Sequence, residues 1–192
     1  MIQRKVTGVI LTVLVGGLLT GCMPKFTIEE LKNMESPRPA ELDKLNMFVG
    51  TWESTGEAKL GFLDTDKPLK ATSTGKVAWE CDGRYLIERS KMNMEELGDM
   101  EGMAIYAWDA KAEKFRTWWF DSDGAVEQGT AKYDEKTKTW HFKGKGRSEW
   151  GRTHSKGTAK FLDDNNMEWS FTMWDGWKLH KVMEMSGTSK RK

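Results

Sequence analysis

The chain has 192 residues, with 30 lysines and arginines against 29 aspartates and glutamates, so its formal net charge is only +1. The absence of a basic excess or a long run of like charge argues against a nucleic-acid partner. Two cysteines are too few for a zinc cluster, whereas ten tryptophans and twelve methionines suit a protein that lines a wide apolar space.

The first 22 residues have the pattern of a secretion signal. Arg4 and Lys5 precede an uncharged, mostly aliphatic run at 6–19, which is shorter than the roughly 20 residues that span a bilayer. The run ends in Leu-Thr-Gly-Cys at Cys22, which resembles the lipobox of bacterial lipoproteins. We therefore expect residues 1–21 to be cleaved and Cys22 to carry acyl chains such as palmitate, which hold the protein on a membrane. The alternatives are an uncleaved anchor and an ordinary secretory peptide.

The residues after the signal suggest a location and a tether. Met23 follows Cys22 in place of the aspartate typical of retention in an inner membrane. In a bacterium with two membranes, the expected place is thus the outer membrane, facing the periplasm. Residues 22–39 would be the lipidated cysteine and its tether. Within it, a capping-box pattern beginning at Thr27 predicts a short helix through Met34, which the following prolines end.

A second short helix is predicted at 40–49, because Leu42, Leu45 and Val49 have helical spacing. From Thr51 onward, turn signals recur at even spacing and separate runs rich in aromatic and β-branched residues. This pattern predicts ten strands, at 51–60, 69–80, 84–94, 101–108, 114–121, 125–133, 138–146, 153–162, 166–174 and 177–187, followed by a basic tail at 189–192.

Consecutive hairpins of this length predict an all-β protein, an antiparallel up-and-down barrel of about ten strands. Closing the sheet removes the two edges that a flat sheet would expose. A barrel of eight to ten strands can also enclose a small ligand. A two-sheet sandwich is the alternative. A barrel that spans the membrane is disfavoured, since many strands carry lysine and glutamate on both sides.

The start of this region resembles a known group of barrels. The stretch from Leu42 to Trp52 reads Leu-x-x-Leu-x-x-Phe-Val-Gly-Thr-Trp, similar to the helix and Gly-x-Trp motif that open calycin-type, nitrobindin-like barrels. With Trp108-Asp109 and the run from Trp118 to Gly124, residues 40–188 look most like the bacterial family called domain of unknown function 1579. The resemblance implies a calycin-like barrel but no activity, because that family is uncharacterised.

The same motif suggests a structural role for Trp52. Gly50 permits a sharp turn from helix to strand, and Trp52 is expected to point inward and plug one end of the barrel. In such barrels a cation from the last strand packs on this ring, and the resemblance implies Lys178 or Lys181 for that position.

The resemblance also makes His180 a weak haem candidate, since a late-strand histidine binds haem iron in nitrobindin-like barrels. Alternation in the tenth predicted strand places Trp177 and Leu179 on the inner side and His180 on the outer side. We therefore expect His180 to be a surface residue, and we predict no cofactor and no metal.

Catalytic motifs are missing from the sequence. It has no Gly-x-Ser-x-Gly elbow, no phosphate-binding loop and no His-Glu-x-x-His. The aspartates fall at turns, where such side chains bond their own backbone. Cys81, at a predicted strand end, is expected to be a buried or half-buried residue without reactivity. We therefore expect a protein that is not an enzyme.

The expected site is a cavity inside the barrel. Candidates for its wall are the aromatic and methionine positions Trp79, Tyr85, Trp108, Trp118, Phe120, Trp140, Phe142, Trp169, Phe171 and Met173. Ordinary core packing is the alternative role for each. Glu88, Arg89 and Glu127 lie within apolar strands and either orient the polar end of a ligand or face water.

The leading hypothesis is a lipid-anchored envelope protein that binds a small apolar or amphipathic molecule in the barrel. The first alternative is an envelope scaffold with a filled barrel, and a less favoured one is a haem-binding or enzymatic barrel. The clustered Met92, Met94, Met100 and Met103, with the Met-x-Met at 183–185, also allow a thioether site for Cu(I).

Overall fold

A computed structural model describes residues 25–34, 37–64, 67–149 and 151–192. The predicted signal at 1–21 and the predicted lipidation of Cys22 lie outside these residues. The chain divides into two compact units, Met1–Pro37 and Arg38–Lys192. No helix in the described part of the chain is long and apolar enough to cross a bilayer.

The described part of the first unit contains one short helix, α1 (Ile28–Lys32). The Glu30 N–H donates to Thr27 Oγ1 at 3.2 Å, and the Thr27 N–H donates to Glu30 Oε2 at 2.7 Å. These two hydrogen bonds confirm the predicted capping box. The helix ends at Lys32, earlier than the predicted end at Met34, with Asn33 as its C-cap.

The second unit is a closed antiparallel barrel in which each strand pairs with the next, and the first pairs with the last. The predicted up-and-down barrel is confirmed and the alternative of a two-sheet sandwich is wrong. The ten strands are β1 (Gly50–Leu60), β2 (Leu69–Glu80), β3 (Tyr85–Met94), β4 (Gly98–Asp109), β5 (Lys114–Asp121), β6 (Val126–Asp134), β7 (Thr139–Ser148), β8 (Gly151–Phe161), β9 (Asn166–Asp175) and β10 (Lys181–Arg191).

The last strand departs most from its predicted bounds. Asp175 Oδ1 accepts a hydrogen bond from the Leu179 N–H, and the Asp175 N–H donates to the His180 carbonyl. These bonds hold 176–180 as a turn, so β10 begins at Lys181 and continues to Arg191. Residues 189–191 are therefore part of the barrel and not of the predicted basic tail.

The residues before β1 form a 3-10 helix, Ala40–Phe48, where an amphipathic helix was predicted. Its buried side chains are Leu42, Leu45 and Phe48. A 3-10 helix has three residues per turn, so this spacing places them on one face. Phe48 therefore takes the position that helical spacing had predicted for Val49.

The 3-10 helix packs into one end of the barrel, here called the closed end, where aromatic rings fill the interior. Phe48 meets Phe161 with ring centroids 5.1 Å apart, and Phe115 meets Trp140 at 5.0 Å. Trp140 has no exposed surface at all. The opposite end, here called the open end, carries the β1–β2, β3–β4, β5–β6, β7–β8 and β9–β10 turns.

Trp52 lies in the closed-end core and is only 4% exposed. Its Nε1 donates to the Phe48 carbonyl at 2.8 Å, and the Arg191 guanidinium stacks on its ring. The expected cation is therefore Arg191, and the expectation of Lys178 or Lys181 is wrong. The reason is the late start of β10, which brings the last residues of the chain level with the start of β1.

Candidate functional site: a methionine-lined cavity

The half of the barrel toward the open end contains a cavity of about 370 Å³. It extends from Tyr106 and Phe142, beside the closed-end core, to Val126 and Ser148 at the open end. The side chains that dominate its wall are Met92, Met100, Tyr106, Trp119, Phe142, Trp169, Phe171, Met173, Met183 and Met185.

Glycines explain why this half of the barrel is hollow although it contains large indoles. A Cβ added to Gly102 would overlap the Trp119 ring. A Cβ added to Gly187 would lie 2.8 Å from Trp169 Cζ2, and one added to Gly56 would lie 3.0 Å from the same atom. The two indoles therefore lie against the bare backbone of neighbouring strands and leave space at the centre.

The methionines form two groups on the wall. Met92 of β3 is paired directly with Met100 of β4, and Met173 of β9 with Met183 of β10. Met185 follows on the same face of β10 and is buried. Methionine side chains are unbranched, so such a wall adapts to ligands of different shape. Met103, the fourth member of the predicted cluster, falls on the outer face of β4 by alternation with Ala104.

A partly buried polar pair joins β3 and β4. The Tyr106 hydroxyl donates to Glu88 Oε2 at 3.3 Å. Burial raises the pKa of Glu88, and this hydrogen bond opposes the rise in part. Burial and the nearby negative charge of Glu88 both raise the pKa of Tyr106. Tyr106 lines the cavity, so its hydrogen bond places the Glu88 carboxyl directly behind the cavity wall.

One further polar group faces the cavity, and another is buried in its wall. Glu127 lines it, and burial raises the pKa of that carboxyl, partly offset by a hydrogen bond with Ser155. The Trp169 Nε1 is buried and has no hydrogen-bond partner among the described residues. A buried donor without a partner is uncommon in folded proteins. The wall thus offers the Glu127 carboxyl to a polar group inside the cavity.

Residues 39–188 match the family described as "Protein of unknown function (DUF1579)". The chain belongs to the DUF1579 family. A comparison with curated proteins finds no match. The site in this DUF1579 protein therefore has to be interpreted from its own residues.

Two solved structures share the fold of this DUF1579 barrel. Rv2717c from M. tuberculosis has a TM-score of 0.60 at 11% identity, covering 81% of this chain and 99% of that one. The S-type phycobiliprotein lyase CPES from Guillardia theta has a TM-score of 0.55 at 10% identity, covering 81% of this chain and 94% of that one. At such identities the likeness concerns the fold alone.

Among the wall candidates taken from the DUF1579 sequence, Phe142, Trp169, Phe171 and Met173 line the cavity. Trp118 borders it, but alternation places its side chain on the outer face of β5, opposite to Trp119. Trp119 was missed because both faces of β5 carry aromatic residues.

The other candidates lie elsewhere. Trp79, Trp108 and Trp140 pack in or against the closed-end core, where the ring centroids of Trp108 and Phe115 are 4.9 Å apart. Tyr85 is exposed at the start of β3, and Phe120 shares the outer face of β5. These five do not line the cavity. Tyr85 and Trp108 instead line a separate pocket of about 450 Å³ beside the 3-10 helix.

The charged candidates divide between the two faces of the barrel. Glu88 and Glu127 point inward, whereas Arg89 is exposed on the outer face and pairs with Glu80 at 2.6 Å. Cys81 is exposed in the β2–β3 turn with a φ of 51°, so the expectation of a buried or half-buried position is wrong. The turn conformation turns its side chain away from the interior.

His180 lies in the β9–β10 turn with its side chain 81% exposed, and its Nδ1 is 3.0 Å from Asp175 Oδ2. Trp177 and Leu179, expected on the inner side of a strand, are exposed in the same turn. The hydrogen bond from His180 lowers the pKa of Asp175. Within the described ranges, no group of three or more histidine, cysteine, aspartate or glutamate side chains is arranged to hold a metal.

Proposed function

We propose that this DUF1579 protein is a lipid-anchored, non-enzymatic binding protein of the bacterial envelope that holds one small apolar or amphipathic molecule. The observation that carries the proposal is the cavity of about 370 Å³ in a barrel whose other end is packed with aromatic side chains. Its volume lies at the lower end of the roughly 300–1,000 Å³ usual for sites of small ligands.

The wall chemistry defines the ligand class. Methionine and aromatic side chains favour an apolar body of variable shape. Glu127 would accept hydrogen bonds from a hydroxyl or amine at the polar end of that body. Such bonds orient a ligand because a buried polar group without a partner is costly. A filled-barrel scaffold would need neither this space nor these groups.

The envelope location rests on the lipobox-like sequence at Cys22 and its apolar leader. Expression in a bacterium with radioactive or alkyne-labelled palmitate tests it. We expect the label on the protein and the protein in the membrane fraction, and both lost with Cys22→Ser. Labelling that persists in this variant would contradict the anchor.

Binding is tested with the neutral fluorescent probe N-phenyl-1-naphthylamine. Met92→Trp adds bulk inside the cavity, whereas Met103→Trp makes the same change on the outer face of β4. We expect Met92→Trp to weaken probe binding about tenfold or more, equivalent to roughly 1.4 kcal/mol, and Met103→Trp to leave it unchanged. Equal binding by the two variants would place the probe outside the cavity and overturn the proposal.

A search for a bound molecule complements the probe. Native mass spectrometry after gentle purification from membranes would show added mass on the wild-type chain. We expect that mass to be reduced in Met92→Trp and retained in Met103→Trp.

A further inference from the structure

The exposed apolar side chains of the barrel gather at its open end. Five of the seven large ones that the described barrel exposes lie there, on four different turns or strand ends: Phe62, Leu97, Val126, Trp177 and Leu179. The most exposed are Trp177, at 85%, and Leu179, at 75%. A tryptophan this open to water at the tip of a turn is unfavourable unless something covers it.

Three of these side chains, Phe62, Trp177 and Leu179, form what we call the rim patch. The Gly61 N–H donates to the Val182 carbonyl at 2.9 Å, which holds the β1–β2 turn against the start of β10. Phe62 follows Gly61, and Trp177 and Leu179 belong to the turn that leads into β10. The patch therefore spans two neighbouring turns of one rim.

The turn that carries Trp177 is held in a defined conformation by hydrogen bonds. The Lys178 N–H donates to the Asp175 carbonyl at 2.9 Å, and the Leu179 N–H donates to Asp175 Oδ1 at 2.9 Å. Asp175 Oδ2 also lies 3.0 Å from His180 Nδ1. Asp175 thus fixes a conformation that points two large apolar side chains into solvent.

The geometry points to a lipid bilayer as the partner: we propose that the rim patch inserts among the lipid headgroups and holds the mouth of the cavity at the membrane surface. Tryptophan prefers the interface between lipid and water, and Lys178, between Trp177 and Leu179, can keep its amine at headgroup level. The passage of an apolar ligand between bilayer and cavity rests on the proposed function, whereas docking does not.

The size of the patch favours lipid over a protein partner. Three side chains at turn tips can bury at most several hundred Å² of accessible surface. This area is smaller than the roughly 800 Å² that each partner of a stable protein complex buries. The cavity reaches the same end of the barrel, at Val126 and Ser148. Insertion of the rim would therefore place its mouth against the bilayer.

The chain between Cys22 and the barrel is long enough for this arrangement. Fifteen residues, 23–37, separate Cys22 from Arg38. The five in α1 rise about 1.5 Å each and the other ten span at most about 3.6 Å each, so together they reach at most ~43 Å. The longest strands have 11 or 12 residues, which span at most ~40 Å at 3.2–3.4 Å per residue. An anchor that joins the barrel at its closed end would thus still let the open end face the membrane.

Docking is tested without the anchor. Residues 38–192 contain all ten strands, the closed-end core and the smaller buried cluster of Ala58, Ala71 and Met185. Far-UV circular dichroism checks that they fold. The measurement is cosedimentation with vesicles of phosphatidylethanolamine and phosphatidylglycerol. We expect Trp177→Ser with Leu179→Ser to lower the partition coefficient at least tenfold. The matched control, Tyr85→Ser with Leu162→Ser, removes an exposed aromatic residue and an exposed leucine near the closed end and should bind as the wild type does.

The full chain provides a second measurement. When the full chain is reconstituted in vesicles with brominated lipids, the bromine atoms should quench its tryptophan fluorescence. Trp177→Phe should remove most of that quenching. Equal partition coefficients for the two double variants would overturn docking. A dimer that forms only when Trp177 is present, measured by light scattering, would also overturn it, because the patch would then bind a second copy of the chain. Binding of N-phenyl-1-naphthylamine should be equal in all variants, so failure of docking is distinguishable from failure of the cavity proposal.

Discussion

The Arg191 guanidinium lies over the ring of Trp52, with its central carbon 4.7 Å from the ring centroid. The same group donates to the carbonyls of Val49 and Met47, each at 2.9 Å. One side chain of the last strand therefore joins the first strand and the end of the 3-10 helix. This contact secures the seam where the barrel closes.

Arg191→Ala should lower the free energy of unfolding by about 2–4 kcal/mol, because it removes a stacked cation and two charge-assisted hydrogen bonds. Arg191→Lys should recover only part of this, since an ammonium group lacks the planar fork that reaches both carbonyls. Urea unfolding measures the effect. Lys190→Ala, at the exposed neighbouring position, is the control. An equally large loss of unfolding free energy in Lys190→Ala would show that the Arg191–Trp52 contact does not stabilise the barrel specifically.

Gly102→Ala should disturb the cavity wall. The added methyl overlaps the Trp119 ring, so the indole must move or the strands must separate. We expect a loss of about 1–3 kcal/mol in the free energy of unfolding and weaker binding of the naphthylamine probe. Trp119→Phe in the same chain should recover stability, because the smaller ring leaves room for the methyl. Without such recovery, the close approach of these two residues would not be the cause.

Glu88→Gln should change how stability depends on pH. Burial raises the pKa of Glu88 in the folded state, so over the range between its unfolded and folded pKa values the folded chain binds more protons. The contribution of Glu88 to the free energy of unfolding then falls as pH rises through this range. Glutamine stays neutral and can still accept from Tyr106.

The measurement for Glu88 is urea unfolding at several pH values between 4 and 8. Relative to wild type, Glu88→Gln should gain stability as the pH rises from about 4, the region of an unperturbed glutamate pKa. Glu168→Gln, on the exposed face of β9, is the control and should run parallel to wild type. A Glu88→Gln curve that also runs parallel would mean that the carboxyl is ionised without cost.

His180→Ala should leave any haem spectrum unchanged. The His180 side chain is exposed in a turn, bonds to Asp175 and does not line the cavity. We therefore expect the absorption spectra of wild type and variant to coincide when haem is added to each. A Soret shift present only in the wild type would assign the iron to His180 after all.

Local patterns were enough to predict the ten strands and their closure. Alternation and regularly spaced turns are properties of neighbouring residues, and the need to remove sheet edges follows from backbone hydrogen bonding alone. The capping box at Thr27 was predicted for the same reason, since its partners lie three residues apart. The start of β10 was not predicted correctly. Asp175 forms hydrogen bonds with Leu179 and His180, and the resulting turn replaces the first residues of the predicted strand.

Short-range periodicity is sufficient to predict an all-β barrel with a tryptophan at the start of its first strand. Which half of the barrel is hollow depends on contacts that form only in the folded protein. On β5, Trp118 and Trp119 are alike in sequence, and the bare backbone of Gly102 on the neighbouring strand β4 lies beneath the inner one. In the same way, Arg191 meets Trp52 only after the sheet has closed. Both outcomes depend on contacts between residues distant along the chain, which no local pattern contains.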